Sequence, residues 1–308
     1  MIAEKKLRLL ITGGTGLLGK ALVKSVPVGC EVHATHYHNA PPPEGAGRFH
    51  LLDVRNNAAV SRLIQRLQPD AIIHTASIGS VDEAERNPDI VRRVNVDGTR
   101  NMAQSCRETN TFLAYISSNA VFDGLHPPYS EDSPTQPSNR YGQIKLEAEI
   151  VVRELCPSHL IVRPILMYGW PLEGGRENAV TRWLKNLEKG KPVEAAEDII
   201  SMPLWVGDCA HAIWEGVLKK RKGIVHLAGA DRVSLSRFAQ EVCSVFGCDP
   251  NLVRPVESKK LIGLAPRPRD TSFSIERMRR EFRIEPVGIR EGLTLMRERR
   301  AVPCGSCS

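Results

Sequence analysis

The apolar positions of this chain keep a strand-then-helix rhythm through its first half. Residues 7–11 are an apolar run of strand length, interrupted only by Arg8, followed by glycines and then a helical pattern through Ala21, Leu22 and Val26. The same alternation predicts strands at 31–36, 48–52, 71–74, 112–117 and 160–164, and helices over 56–67, 88–109 and from Tyr141 onward. After Pro164 the rhythm weakens. A helix is predicted over 178–189, a strand over 201–206 and an amphipathic helix over 208–219 with Ala210, Ile213, Trp214 and Val217 on one side. A core strand at 223–227 follows, then short helices from Ser234 and a terminal helix from near Val287.

This order predicts an α/β fold: a doubly wound parallel sheet of the Rossmann type with a smaller C-terminal substrate-binding cap. Residues 1–165 are expected to form the dinucleotide-binding domain, with 203–228 returning to it, and 166–308 mainly the cap. Composition adds little to that picture: 42% hydrophobic and 25% charged residues describe an ordinary globular chain. The net charge of +7 does change it, because it admits nucleic acid, a membrane surface or an anionic small molecule as partner. The arginines between 277 and 300 are interleaved with Glu276, Glu281, Glu285, Glu291 and Glu298, and no aromatics alternate with them, so they read as a solvated helical face and not as a nucleic-acid groove. The apolar start is too short for a signal sequence or a membrane span, which leads us to expect a cytoplasmic protein with no membrane partner. Cys304 and Cys307 have C-x-x-C spacing without a second pair, so they read as free thiols, and no metal ligands are assigned.

Chemistry enters with Thr12-Gly-Gly-Thr-Gly-Leu-Leu-Gly19, placed between a strand and a helix. Gly13 permits the tight turn, Gly16 lets the backbone approach a pyrophosphate and Gly19 allows close packing, while Thr15, Leu17 and Leu18 carry the N–H groups that open the helix. The second strand ends in Thr35-His-Tyr-His without an acid for ribose hydroxyls, which tilts the cofactor toward NADP(H), with NAD(H) as the alternative and His36 as a contact. No arginine is found in that segment either. Asp53 has two readings, a partner for the adenine amino group with Val54 packed on the ring, or a helix cap. Thr75-Ala76-Ser77 is small and polar, as suits a loop beneath a dinucleotide. Asn95 and Gly98 sit inside a helix at a cost in stability, which invites a functional or packing explanation. The Pro-rich and Gly-rich segment 123–139 is a candidate binding loop. Tyr141 and Lys145 are four apart on a helix, so Lys145 can lie beneath the phenol and lower its pKa, or the two can be a chance pair on a solvated face.

The glycine motif, the strand-end Ser118, Tyr141-x-x-x-Lys145 and Arg163-Pro-x-x-x-Tyr-Gly169 together resemble the extended short-chain dehydrogenase/reductases. Within them, Val81-Asp-Glu-Ala-Glu85, Val94-Asn-Val-Asp-Gly-Thr99, the 116–124 stretch, Tyr129-x-Glu-Asp-x-Pro134 and Arg267-Pro-Arg-Asp270 are similar to dTDP-4-dehydrorhamnose reductases. The resemblance implies a catalytic triad of Ser118, Tyr141 and Lys145, with Lys145 holding the nicotinamide ribose and Arg163 on the cofactor side. It places Val81, Asn119 and Arg267 on the substrate side, where Arg267 would meet diphosphate. The implied activity is reduction of a keto group on a nucleotide-linked deoxysugar. Two alternatives stand beside it: a cofactor-binding regulatory protein resembling the β subunit of methionine adenosyltransferase, and a nucleotide-sugar epimerase or dehydratase. Dehydratases carry acidic partners beside the serine, and Asn119 is not one. The chain departs from the reductase pattern at Asn119-Ala120, where Asp-Tyr is usual, and at Ile165-Leu166, where Ser-Trp is usual; Trp170 is expected to pack under the cap. The sequence leaves the sugar, the nucleotide, any metal need and the oligomeric state open, a homodimer being one option.

Overall fold

The computed structural model describes residues 6–41, 48–261, 263 and 265–300. Residues 42–47, and Cys304 with Cys307, fall outside the described residues. The chain begins with β1 (Leu7–Thr12), α1 (Leu17–Lys24), β2 (Cys30–His36), β3 (Arg48–Leu51), α2 (Asn57–Leu67) and β4 (Ala71–His74). It continues through α3 (Val81–Arg86), α4 (Pro88–Arg92), a π turn (Arg93–Asp97), α5 (Gly98–Thr109) and β5 (Phe112–Ile116). A 3-10 turn at Asn119–Val121 and a long loop lead to α6 (Arg140–Leu155) and β6 (His159–Pro164).

The second half carries β7 (Met167–Tyr168), α7 (Ala179–Leu187), β8 (Val193–Ala196), β9 (Ile200–Ser201), β10 (Leu204–Trp205), α8 (Val206–Leu218) and β11 (Gly223–Leu227). After these come β12 (Val233–Ser234), α9 (Leu235–Phe246), β13 (Val253–Val256), α10 (Glu276–Phe282) and α11 (Ile289–Glu298). The strand predicted over 201–206 is two short strands, β9 and β10, separated by Met202 and Pro203. The β8–β13 pair was not predicted. Both strands are only four residues long, β8 buried except at Glu194 and β13 buried only at Val253, and the pairing joins segments far apart in sequence.

Seven strands form one sheet in the order β11-β6-β5-β4-β1-β2-β3, with every pairing parallel. Such a sheet needs crossover helices on both faces, and the four strands β1, β4, β5 and β6 are accordingly buried almost throughout. The strand order reverses between β1 and β4, so the crevice for a ligand opens at the C-terminal ends of those two strands. One core packs α1 and α8 against the sheet, and a second packs α2, α5 and α6 on the other face. Phe273, Ile275, Met278 and Phe282, from late in the chain, join the first core. A third core lies under the cap between α7, α9 and α11. Trp170 belongs there, where its indole N–H donates to the Met296 carbonyl at 2.7 Å.

Candidate active site

The glycine turn is held by its neighbours on both sides. Gly13 has φ +67°, and a Cβ there would stand 2.9 Å from the Ala76 backbone, so only glycine fits. The Gly13 and Gly14 N–H groups donate to Thr35 at the end of β2, and the Thr75 hydroxyl donates to the Thr12 carbonyl at 2.6 Å. A Cβ on Gly19 would lie 2.2 Å from the Gly13 carbonyl oxygen, so α1 rests directly on the turn. Gly16 differs from these. A Cβ there would meet only the Gly13 carbonyl oxygen at 3.3 Å, which leaves its front open. It also caps α1 with no side-chain hydrogen bond and no acid in the first turn. Open backbone and an uncapped helix N-terminus suit a pyrophosphate. Leu18 points into the core, so its contribution to an anion is its backbone; Thr15 is buried, and Ser77 is exposed.

A buried relay underlies this crevice. Thr12 bonds His74 Nδ1 at 2.7 Å, and His74 Nε2 lies 3.2 Å from the Thr99 hydroxyl, which itself donates to the Asn95 carbonyl. Since Thr99 uses its proton there, Nε2 carries the ring proton and Nδ1 accepts from Thr12. Burial drives His74 down to about 3, with the Lys145 charge acting in the same direction, so the ring is neutral. Asn95 clamps the Thr75–Gly79 loop by accepting from the Ile78 N–H and donating to its carbonyl. The π turn that holds Asn95, and Gly98, whose Cβ would stand 2.7 Å from Val54, account for both unfavourable residues in that helix. Val54 is packed into this core. Asp53 is not the cap of α2, because Asn56 accepts from Ala59 N in that role.

At the other end of the crevice β5 delivers Ser117 and Ser118. Ser117 is buried and donates to Glu149 at 2.5 Å, whereas Ser118 is half-buried and near enough to the Tyr141 phenol to lower its pKa. The close approach depends on Gly142, since a Cβ there would lie 2.0 Å from the Ala120 carbonyl oxygen. Asn139 caps α6 by accepting from Gly142 N at 2.8 Å.

Two expectations are corrected here. Lys145 does not lower the Tyr141 pKa; its ammonium donates to the Ile116 carbonyl at 2.6 Å and lies over the Tyr115 ring. Burial pushes the Tyr141 phenol up, and the Arg176 guanidinium and the nearby Ser118 hydroxyl oppose that rise. Burial also pulls Lys145 down to about 7, against the attraction of Glu149. The second correction concerns Arg163, which does not reach the cofactor crevice. It is 2% exposed and pairs with Glu149 through Nε at 2.8 Å and Nη2 at 2.7 Å, with Phe122 beneath it. A guanidinium on an interior strand can stay charged only with such a partner.

The substrate side is made by loops. Asn119 donates to Thr271 at 2.6 Å and accepts from Ser118 at 3.3 Å. Arg267 pairs with Asp82 at 3.0 Å, next to Val81 at the start of α3. Arg176, from the loop after β7, extends to within 3.0 Å of where a Gly79 Cβ would be and is the cation that acts on Tyr141. Neither Arg176 nor His74 was foreseen. A histidine ending a buried strand between Thr12 and Thr99 carries no linear signature, and Arg176 lies in a loop that only the fold turns toward Tyr141. Among the described residues no group of acids, histidines and cysteines is arranged to hold a metal ion, and no helix is long and apolar enough to cross a membrane.

The family profile described as the RmlD substrate binding domain matches residues 7–301. Among curated relatives, methionine adenosyltransferase 2 subunit beta of Bos taurus is 31% identical over 306 residues, covering 93% of this chain and 87% of the relative. The dTDP-4-dehydrorhamnose reductase of Streptomyces griseus is 32% identical over 269 residues, covering 85% of this chain and 84% of the relative. The crystal structure of dTDP-4-dehydrorhamnose reductase from Bacillus anthracis in complex with NADP matches with a TM-score of 0.85 at 27% identity, covering 95% of this chain and 99% of that one.

Proposed function

We propose, for a chain that belongs to the RmlD substrate binding domain family across residues 7–301, that it transfers hydride from NADPH to a keto group of a nucleotide-linked deoxysugar, as a dTDP-4-dehydrorhamnose reductase does. The observation that carries this reading is the convergence of Ser118, Tyr141 and the open glycine turn on one edge of the sheet, where Ser118 and Arg176 both act on the Tyr141 phenol. The class is NAD(P)-dependent oxidoreductase; the sugar and its nucleotide are the proposed part. NADP(H) is the favoured cofactor, with NAD(H) the alternative, in keeping with the NADP of the Bacillus anthracis reductase and with a β2 end that lacks an acid. Residues 1–165 with 203–228 would serve the dinucleotide, and 166–308 mainly the sugar nucleotide.

The crevice fits the cofactor at its diphosphate, where Gly16 and the first N–H groups of α1 would hold it. When bound, the reduced nicotinamide supplies the hydride. Tyr141 then gives its proton to the oxygen on which negative charge grows, and Ser118 hydrogen-bonds that same oxygen. Burial keeps the phenol protonated at neutral pH, the form an acid must have. Lys145 is the residue for the nicotinamide ribose, and Arg267 and Arg176 supply positive charge for a diphosphate on the sugar side.

The test is loss of NADPH absorbance with a panel of 4-keto nucleotide sugars. Tyr141→Phe is expected to lower turnover by about a hundredfold or more while the NADPH Kd stays within a few-fold. A second reading has its own observation, the 31% identity with methionine adenosyltransferase 2 subunit beta across 93% of this chain. In it the crevice binds a dinucleotide and the chain serves as a subunit beside another enzyme. Tight NADPH binding by the wild type with no turnover on any keto sugar would favour that second reading over the first.

A further inference from the structure

The segment after β2 holds no arginine, yet the parallel pairing of β2 with β3 brings one to it. His36 and Leu51 are in register, and Leu52 N donates to the His36 carbonyl, so the residues after β3 emerge beside those after β2. Arg55 is the first cation to emerge there. Its guanidinium carbon lies 5.7 Å from the centre of the Tyr37 ring, and its Nη2 donates to the Tyr37 hydroxyl at 3.3 Å. The same guanidinium grips the Asp53 carboxylate, through Nε at 2.9 and 3.1 Å and through Nη2 at 2.7 Å. Its Nη1 has no partner among the described residues. Arg55 and Asp53 are both partly open to solvent, with side-chain exposures of 35% and 26%.

In this fold the end of β2 faces the ribose of the adenosine half, and a phosphate on that ribose calls for a fork of donors. We propose that Arg55, presented from the end of β3 against Tyr37, binds the 2′-phosphate of NADP and thereby selects it over NAD, an inference that rests on the dinucleotide reading above. A phosphate dianion outbids a carboxylate for a bidentate guanidinium. When Arg55 turns to the phosphate, the Asp53 carboxylate is released for the adenine amino group. A dinucleotide without the phosphate has nothing to draw Arg55 away, so it meets Asp53 already occupied. Selection thus resides in a charge pair on one strand end acting across to its neighbour.

Titration calorimetry on the full chain with NADPH, NADH and 2′,5′-ADP separates the outcomes. The wild type is expected to bind NADPH more tightly than NADH. Arg55→Ala is expected to weaken NADPH and 2′,5′-ADP by about ten- to a hundredfold, while NADH is unchanged or tighter because Asp53 is free. Arg55→Lys should fall between, and Tyr37→Ala should shift NADPH in the same direction by less. Equal weakening of NADPH and NADH in Arg55→Ala, or no weakening of either, overturns the assignment while the dinucleotide reading stands, as does a wild type that prefers NADH. A wild type that binds neither dinucleotide overturns both. Thermal unfolding of each variant shows that the exposed substitutions leave the fold intact.

Discussion

On the dinucleotide side, Thr12, Gly13, Thr35, Thr75 and Ala76 are bonded to one another across the ends of three neighbouring parallel strands. On the substrate side, Asn119 reaches Thr271, 152 positions away, and Arg267 reaches Asp82, 185 positions away. The first set is positioned by sheet register, which cannot slip without moving every buried strand. The second set hangs on loops, which can change composition while the sheet stays as it is. Of the chain's departures from the reductase pattern, Asn119-Ala120 begins the loop after β5, and Ile165-Leu166 joins β6 to β7. Hydride chemistry and substrate identity are therefore built with different tolerances.

Gly19→Ala should break the rigid side with the largest effect. The added Cβ would stand 2.2 Å from a backbone carbonyl oxygen that belongs to the glycine turn itself, so either α1 or the turn must move. Overpacking of this kind costs about 1–3 kcal/mol, and denaturant unfolding with NADPH titration should show both the destabilisation and the loss of dinucleotide binding. Arg176→Ala probes the loop side next. Because the Arg176 charge holds the Tyr141 pKa down against burial, its removal raises that pKa further. Tyr141 works as an acid only while protonated, so the alkaline fall in the pH–rate profile should move to higher pH; an unmoved alkaline limb would separate Arg176 from the phenol. Arg267→Ala should have the smallest effect on the fold, since its pair with Asp82 is partly open to solvent and worth about 0–1 kcal/mol. Its expected signature is a KM for the sugar nucleotide raised about tenfold with the NADPH Kd unchanged, as loss of one charge-assisted contact predicts.

The position of a side chain relative to its own strand or helix was legible in the linear chain. The apolar runs marked β1, β4, β5 and β6, and the glycine motif was placed between a strand and a helix because both periods are local properties. The turn at Gly13 and the helix contact at Gly19 follow from the motif's spacing together with its place between a strand and a helix, and the Cβ distances agree. The expectation for Arg163 fails because a motif places an arginine on a strand but does not say that Glu149 on α6 meets it inside. Lys145 was misjudged for a related reason: i and i+4 fix a common helical face, whereas the end of the ammonium goes where a carbonyl and a ring receive it.

What the sequence by itself determined is therefore the seven strands of the central sheet, the glycine turn and the presence of a serine, a tyrosine and a lysine fit for carbonyl chemistry. Tertiary structure alone decided which charges stand beside them. Arg176 meets Tyr141, Arg55 meets Tyr37, and His74 links Thr12 to Thr99, each across a gap between elements that no local pattern spans. Electrostatic influence falls with distance in space and is indifferent to distance along the chain, so the tuning of this site is a property of the fold.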